Sequence, residues 1–91
     1  MTSILQRNKV CYLCGRMTGL ERHHIFGGVA NRRISEQYGL WVWLCHECHT
    51  GTDGAQYDPE KNRHLKQIAQ MAYEQTHSRD EWMKLIRRNY I

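Results

Sequence analysis

The chain has 91 residues, a formal net charge of +4, 41% apolar residues and 24% charged residues. That length supports one domain, and the mixture is too apolar and too balanced in sign for a disordered tail. Its longest apolar run, Leu40–Cys45, is far shorter than the ~18 residues a membrane span requires, so no contact with a bilayer core is expected. Met1–Val10 lacks the apolar stretch of a secretory signal, so a cytoplasmic protein is expected. A chain this small buries only ~60–65% of its unfolded surface, so its core needs a staple.

In chain order, residues 1–20 are polar and turn-rich, with a metal-knuckle pattern at Cys11-x-x-Cys14-Gly15. Arg22–Phe26 and Leu40–Leu44 are rich in aromatic and branched residues and predict two strands. Gly27–Arg33 between them reads as a loop, and Ser35–Tyr38 adds a helical turn. Trp41 and Trp43 alternate around Val42, which predicts one strand face on the core and the other on C-terminal helices. Cys45 to His49 opens a short helix. Asp58 as N-cap, Pro59 in the first turn and Leu65, Ile68, Ala69, Ala72 and Tyr73 at helical spacing predict a longer one. Ser78-x-x-Glu81 is a capping box for a last helix with Trp82, Leu85 and Ile86 on one face. The expected fold is a small α+β domain over 1–91, with a metal-bound core at 11–50 and a helical brace at 58–91.

The four cysteines fall in two Cys-x-x-Cys pairs, Cys11/Cys14 and Cys45/Cys48. Two such turns can set four sulfurs at the corners of a tetrahedron around a structural Zn²⁺. Redox-active pairs or secreted disulfides are the alternatives. They fit less well, because no βαβ pattern surrounds either pair and the chain lacks a secretory signal. His23-His24 lies in the first expected strand, and His49 directly follows the last cysteine. Singly, each histidine has a bland reading as a packed or solvated residue. Together, on a frame set by zinc, they suggest a second site. His46 reads as solvent-exposed, His64 and His77 have no ligand-like partner, and Asp53 and Asn62 are weak candidates to approach that site.

Cys11-x-x-Cys14, Glu21-Arg22-His23-His24-Ile25 and Leu44-Cys45-x-x-Cys48-His49 resemble the zinc-stapled branch of the HNH endonucleases, in the ββα-metal superfamily. The resemblance covers residues 11–49, over a third of the chain. It implies a ββα-metal fold, structural zinc on Cys11, Cys14, Cys45 and Cys48, and a catalytic divalent ion on His23 and His49. His24 would be the general base. The motif's middle Asn usually lies shortly before the third cysteine, where this sequence has Leu40; Asn31 lies earlier in the loop. Small nucleases of this kind are frequent in phage genomes, sometimes beside the packaging motor. That context implies a larger DNA-processing partner and a phage-infected or bacterial cytoplasm.

The residue types suit phosphodiester hydrolysis. An imidazole such as His24 can take a proton from water at neutral pH, and a metal on two imidazoles can bind a phosphate. Such ligands favour Mn²⁺, Co²⁺, Ni²⁺ or Zn²⁺ over Mg²⁺. Adjacent strand residues point to opposite faces. His23 and His24 would therefore share one phosphate only across a distorted strand or with the phosphate between them. A pI near 9.0 favours a polyanionic partner. Arg22, Arg32 and Arg33 are the expected DNA contacts, extended by Arg16, Lys61 and Arg63. The leading reading is a DNA-nicking endonuclease of low sequence specificity, acting as a monomer or weak homodimer. The alternatives are a catalytically silent DNA-binding module and an adaptor for a larger complex.

Overall fold

Residues 40–45 alternate large apolar side chains on both faces and form the centre of the molecule. In a computed structural model describing residues 1–91, β1 (Leu20–His24) and β2 (Trp41–Cys45) pair antiparallel, with Leu20 opposite Cys45 and His24 opposite Trp41. Both strands exist as expected, with shifted ends. Ile25 and Phe26 follow the strand as buried core residues: Ile25 N–H still donates to Leu40 O at 3.1 Å, and the Phe26 ring meets Trp82 at 5.5 Å.

The expected loop at 27–33 is mostly helix. After Gly27 and Gly28 the chain forms α1 (Val29–Tyr38), so Arg32 and Arg33 sit on a helix rather than in a loop. Two residues explain it. Ser35 is fully buried, and its hydroxyl donates to Phe26 O (3.0 Å) and accepts from Phe26 N–H (3.3 Å), tying the helix to the end of β1. Gly39 closes the helix in the left-handed region (φ 69°) and donates to Ser35 O. A Cβ there would also collide with the Thr2 carbonyl. Leu40, directly after it, is completely buried in the core.

Residues 1–19 form neither helix nor strand, yet they cover the free edge of β2. Trp43 N–H donates to Gln6 Oε1 (2.6 Å), Tyr12 N–H donates to Trp43 O (2.8 Å) and the Ser3 hydroxyl donates to Trp41 O (2.5 Å). An edge strand left open would be a template for aggregation. On the Trp face of β2 the rings of Trp41 and Trp43 meet edge-on at 5.3 Å. Arg22 stacks over Trp41 at 3.8 Å, and Lys9 lies over Trp43 at 4.7 Å. The contacts on that face come from β1 and the N-terminal segment.

The other face of β2 carries Val42 and Leu44, both fully buried, and meets the C-terminal helices in one apolar cluster. After the short α2 (His46–His49) come α3 (Pro59–Tyr73) and α4 (Arg79–Ile86). Their caps are those the sequence predicts. Asp58 accepts from Glu60 and Lys61 N–H, while Ser78 and Glu81 form the reciprocal capping box. Leu65 and Ala69 of α3, and Trp82 of α4, are fully buried, with Tyr73 beside Trp82 at 5.4 Å. The result is a small α+β fold with a two-stranded sheet, and no helix is long and apolar enough to cross a membrane.

Candidate functional site

The hairpin and its following helix bring the cysteines together. Cys11 and Cys14 sit on a tight turn in which Cys11 N–H donates to Arg16 O (2.7 Å) and Gly15 N–H to Cys11 O (2.8 Å). Cys45 is the last residue of β2, and Cys48 lies one turn on in α2. All four Sγ atoms fall within 4.8 Å of one another, and Cys14 Sγ is 3.6 Å from Cys45 Sγ. Tetrahedral Zn²⁺ with Zn–S bonds of ~2.3 Å needs sulfurs about 3.8 Å apart. The quartet therefore suits a structural metal such as zinc.

The thiols also differ in acidity. Burial opposes ionisation of Cys11, but backbone N–H groups of Cys45, Cys14 and Leu13 outweigh it and lower its pKa to about 6. Burial and the neighbouring thiols push Cys48 up. Four thiolates this close repel, and a divalent cation allows them to ionise together.

The histidines divide between the two faces of β1. The ladder runs without a bulge through His24, so Glu21 and His23 share one face while Arg22 and His24 share the other. His23 is buried, and its ring meets His49 edge-on with centroids 5.0 Å apart. Its Nε2 is buried without a hydrogen-bond partner, which costs ~1–3 kcal/mol unless a ligand satisfies it. Burial, reinforced by the nearby charges of His49, His24 and Lys66, lowers His23 to about 4, so it is neutral at physiological pH.

His49 is held from the other side, its Nδ1 2.9 Å from Glu21 Oε1. With Nδ1–H donating to that carboxylate, the His49 Nε2 lone pair is left for a ligand. Glu21 is held below its usual carboxylate range by hydrogen bonds to His49 and His46. The loop after α2 supports His49 through its backbone: Gln56 N–H donates to His49 O at 3.1 Å, and Gly54 passes so close that a Cβ would lie 2.6 Å from that oxygen. No third imidazole or carboxylate joins His23 and His49 in a tight ligand cluster; the cysteine quartet is the one group of three or more.

On the opposite face His24 Nε2 is 2.6 Å from Glu36 Oε2, and Arg22 donates to Glu36 Oε1 at 2.6 Å. Burial opposes ionisation of Glu36, but His24 and Arg22 together hold its carboxyl below the usual range. His24 and Glu36 line a concavity of about 350 Å³ with Arg32 and Arg33. Both arginines are exposed there and make no ion pair, whereas Arg22 is committed to Glu36 and to the Trp41 face.

The remaining candidates are scattered. His46 is exposed, with its Nδ1 3.3 Å from Glu21 Oε2; His77 stacks on Tyr73 at 4.1 Å; His64, Asp53 and Asn31 are exposed. Asn62 lies in a separate cavity on α3. Sequence reasoning missed both carboxylates. Glu21 carried a signal, because it precedes His23 by one strand repeat. Glu36 had none without knowledge that α1 is a helix.

Comparison with protein-family models, curated proteins and solved structures gives no match, so the side chains themselves must support a function.

Proposed function

We propose that the chain is a zinc-stapled, metal-dependent DNA endonuclease of the HNH type, with β1, β2 and α2 as its ββα-metal core. The observation that carries this reading is the pairing of His23 with His49: two imidazoles from different elements, one with a buried, unpartnered Nε2. Such a pair suits a divalent ion of the Mn²⁺ to Zn²⁺ type better than Mg²⁺. Bound there, the ion would hold the scissile phosphate and stabilise charge on the departing 3′ oxygen.

The chain's own groups supply the remaining chemistry. His24, with Nε2–H directed at Glu36, keeps its Nδ1 lone pair to take a proton from the attacking water. The Glu36 carboxylate orients the ring and stabilises the imidazolium that forms, as a carboxylate does behind any histidine base. Glu36 thereby supplies the orientation that an Asn would give in the family motif, since Leu40 is committed to the core. Because His23 and His24 face opposite sides of β1, the phosphate must sit across the edge of the ribbon. Arg32 and Arg33, beside His24, are the cations available to the flanking strand.

The deep burial of Leu40 also favours a second reading, a zinc-stapled module that binds DNA without cutting it. A plasmid time course on the zinc-loaded protein separates the two. Nicked circles should accumulate before linear DNA when Mn²⁺, Co²⁺ or Ni²⁺ is added. His24→Ala should abolish nicking while leaving metal binding at the histidine pair intact. His23→Ala and His49→Ala should weaken metal binding and nicking together. Wild-type cleavage by His24→Ala would sink the base assignment. DNA binding without nicking under any of these metals would establish the silent module.

A further inference from the structure

The C-terminal tail brings Arg88 beside Arg63 and Lys66, three cations that make no ion pair within the chain. After α4, Arg87 takes a left-handed conformation (φ 68°) and turns residues 88–91 back over α3. The fully buried Gln70 grips this tail: its Oε1 accepts from Tyr90 N–H (2.7 Å), and its Nε2 donates to Asn89 Oδ1 (2.8 Å). The equally buried Trp82 donates its indole N–H to Arg88 O at 2.9 Å. These bonds fix Arg88 opposite α3, where Arg63, Lys66 and Arg88 line a cavity of about 270 Å³ together with Asn62 and Asn89.

The cation cluster works against itself. Lys66 lies 5.7 Å from the Tyr90 ring centroid, and Arg88 lies over the same ring at 5.3 Å. Burial, aided by Arg88, lowers the pKa of Lys66. None of the three cations has a carboxylate partner; the ion pairs of the chain are made by Arg22, His24, His46, His49, Lys61 and Arg79. Bringing like charges together through a buried hydrogen-bond network costs stability unless an anion completes the site. Lys66 also lies 5.9 Å from the ring centroid of Phe26, two residues beyond His24, so the cavity adjoins the end of the strand that carries the histidines.

We propose that the Arg63–Lys66–Arg88 cavity is a phosphate-binding subsite that holds an internal backbone phosphate of DNA beside the one at His23 and His49. Its size suits a phosphate and is below the ~300–1,000 Å³ of pockets for drug-sized ligands. Two guanidinium forks and an ammonium match phosphate oxygens, and the Asn89 side chain adds a polar wall. The register of the substrate strand is then set by the C-terminal tail beyond the end of β1 and by Arg32 and Arg33 on the His24 face. This inference rests on the nuclease reading for its substrate, but its test measures binding and does not require turnover.

The test titrates zinc-loaded His24→Ala protein, as a non-cutting parent, with a fluorescent DNA duplex bearing 5′-hydroxyl ends, across a range of salt concentrations. Lys66→Gln and Arg88→Gln, alone and together, are compared in that background with Lys84→Gln and Arg7→Gln, exposed positions that remove the same charge outside the cavity. The double cavity variant should lose roughly tenfold in affinity, and its salt slope should fall by about 1, the value for one phosphate contact. The control pair should change affinity by less than about threefold. Lys66→Arg should keep parental affinity, which separates a charge effect from misfolding. Equal losses in cavity and control variants would overturn the subsite. A loss confined to 5′-phosphorylated duplex would overturn the internal assignment and place a strand end there. The two readings fail separately. Wild-type protein that never nicks but shows the cavity-specific loss refutes the nuclease alone, and nicking without that loss refutes the subsite alone.

Discussion

His23 is the residue under most tension in this molecule. It is a buried imidazole with an unpartnered nitrogen, kept neutral by burial and by cationic neighbours. Its pKa of about 4 in the folded chain lies below the ordinary value of 6.5. Between those values the unfolded chain binds more protons, so stability rises with pH across that window. The contribution should be complete above pH ~6.5 and should fall by up to ~3 kcal/mol as the pH drops towards ~4. Denaturant unfolding of the zinc-loaded protein at a series of pH values measures this. His23→Asn should flatten that part of the profile, leaving only the acid loss of zinc that both proteins share. Equal pH slopes for the two proteins would mean that His23 is not buried in its neutral form.

Among the elements, α1 has the most consequence for the site, because it carries Glu36, Arg32 and Arg33 to the His24 face. Its attachment depends on Ser35 under Phe26 and on the left-handed turn at Gly39. Gly39→Ala forces a Cβ against the Thr2 carbonyl and strains a positive φ. The expected cost is ~2–3 kcal/mol or more, since steric collision adds to the backbone penalty. Gly27→Ala is the matched control: a Cβ there meets nothing within 4 Å, so stability should change by less than ~1 kcal/mol. Thermal or denaturant melts of the two variants make the comparison. Equal effects would show that the α1 terminus does not constrain the fold.

For the whole molecule, the cysteine quartet brings the N-terminal turn, β2 and α2 to one point, where a metal would cross-link them. Zinc bound at such sites carries folding free energy of order ~10 kcal/mol, comparable with the whole stability of a small domain. Metal analysis should find about one tightly held Zn²⁺ per chain. Cys45→Ser should unfold or aggregate the protein, as read by circular dichroism and size exclusion. A well-folded, zinc-free Cys45→Ser protein would disprove the structural role. The same quartet fixes the position of His49, because Cys45 and Cys48 bracket the start of α2 and His49 follows directly.

Local chemistry made much of this legible in advance. The Cys-x-x-Cys pairs, the Asp58-Pro59 cap and the Ser78–Glu81 box act within a few residues of themselves, so their geometry is written in contiguous sequence. The apolar runs marked both strands for the same reason, apart from their ends. Only the last turn of α1, Ser35–Tyr38, was legible, because the polar surface of the rest hides the period and its anchors, Phe26 and Ile4, lie outside it. The pairing of His24 with Glu36, of His49 with Glu21, and of Lys66 with Arg88 required the chain to return on itself. Sequence alone marked the four cysteines as a metal-binding quartet and singled out His23, His24 and His49 as candidates. Tertiary packing decided which face each occupies and which charges meet, because those depend on contacts between residues far apart along the chain.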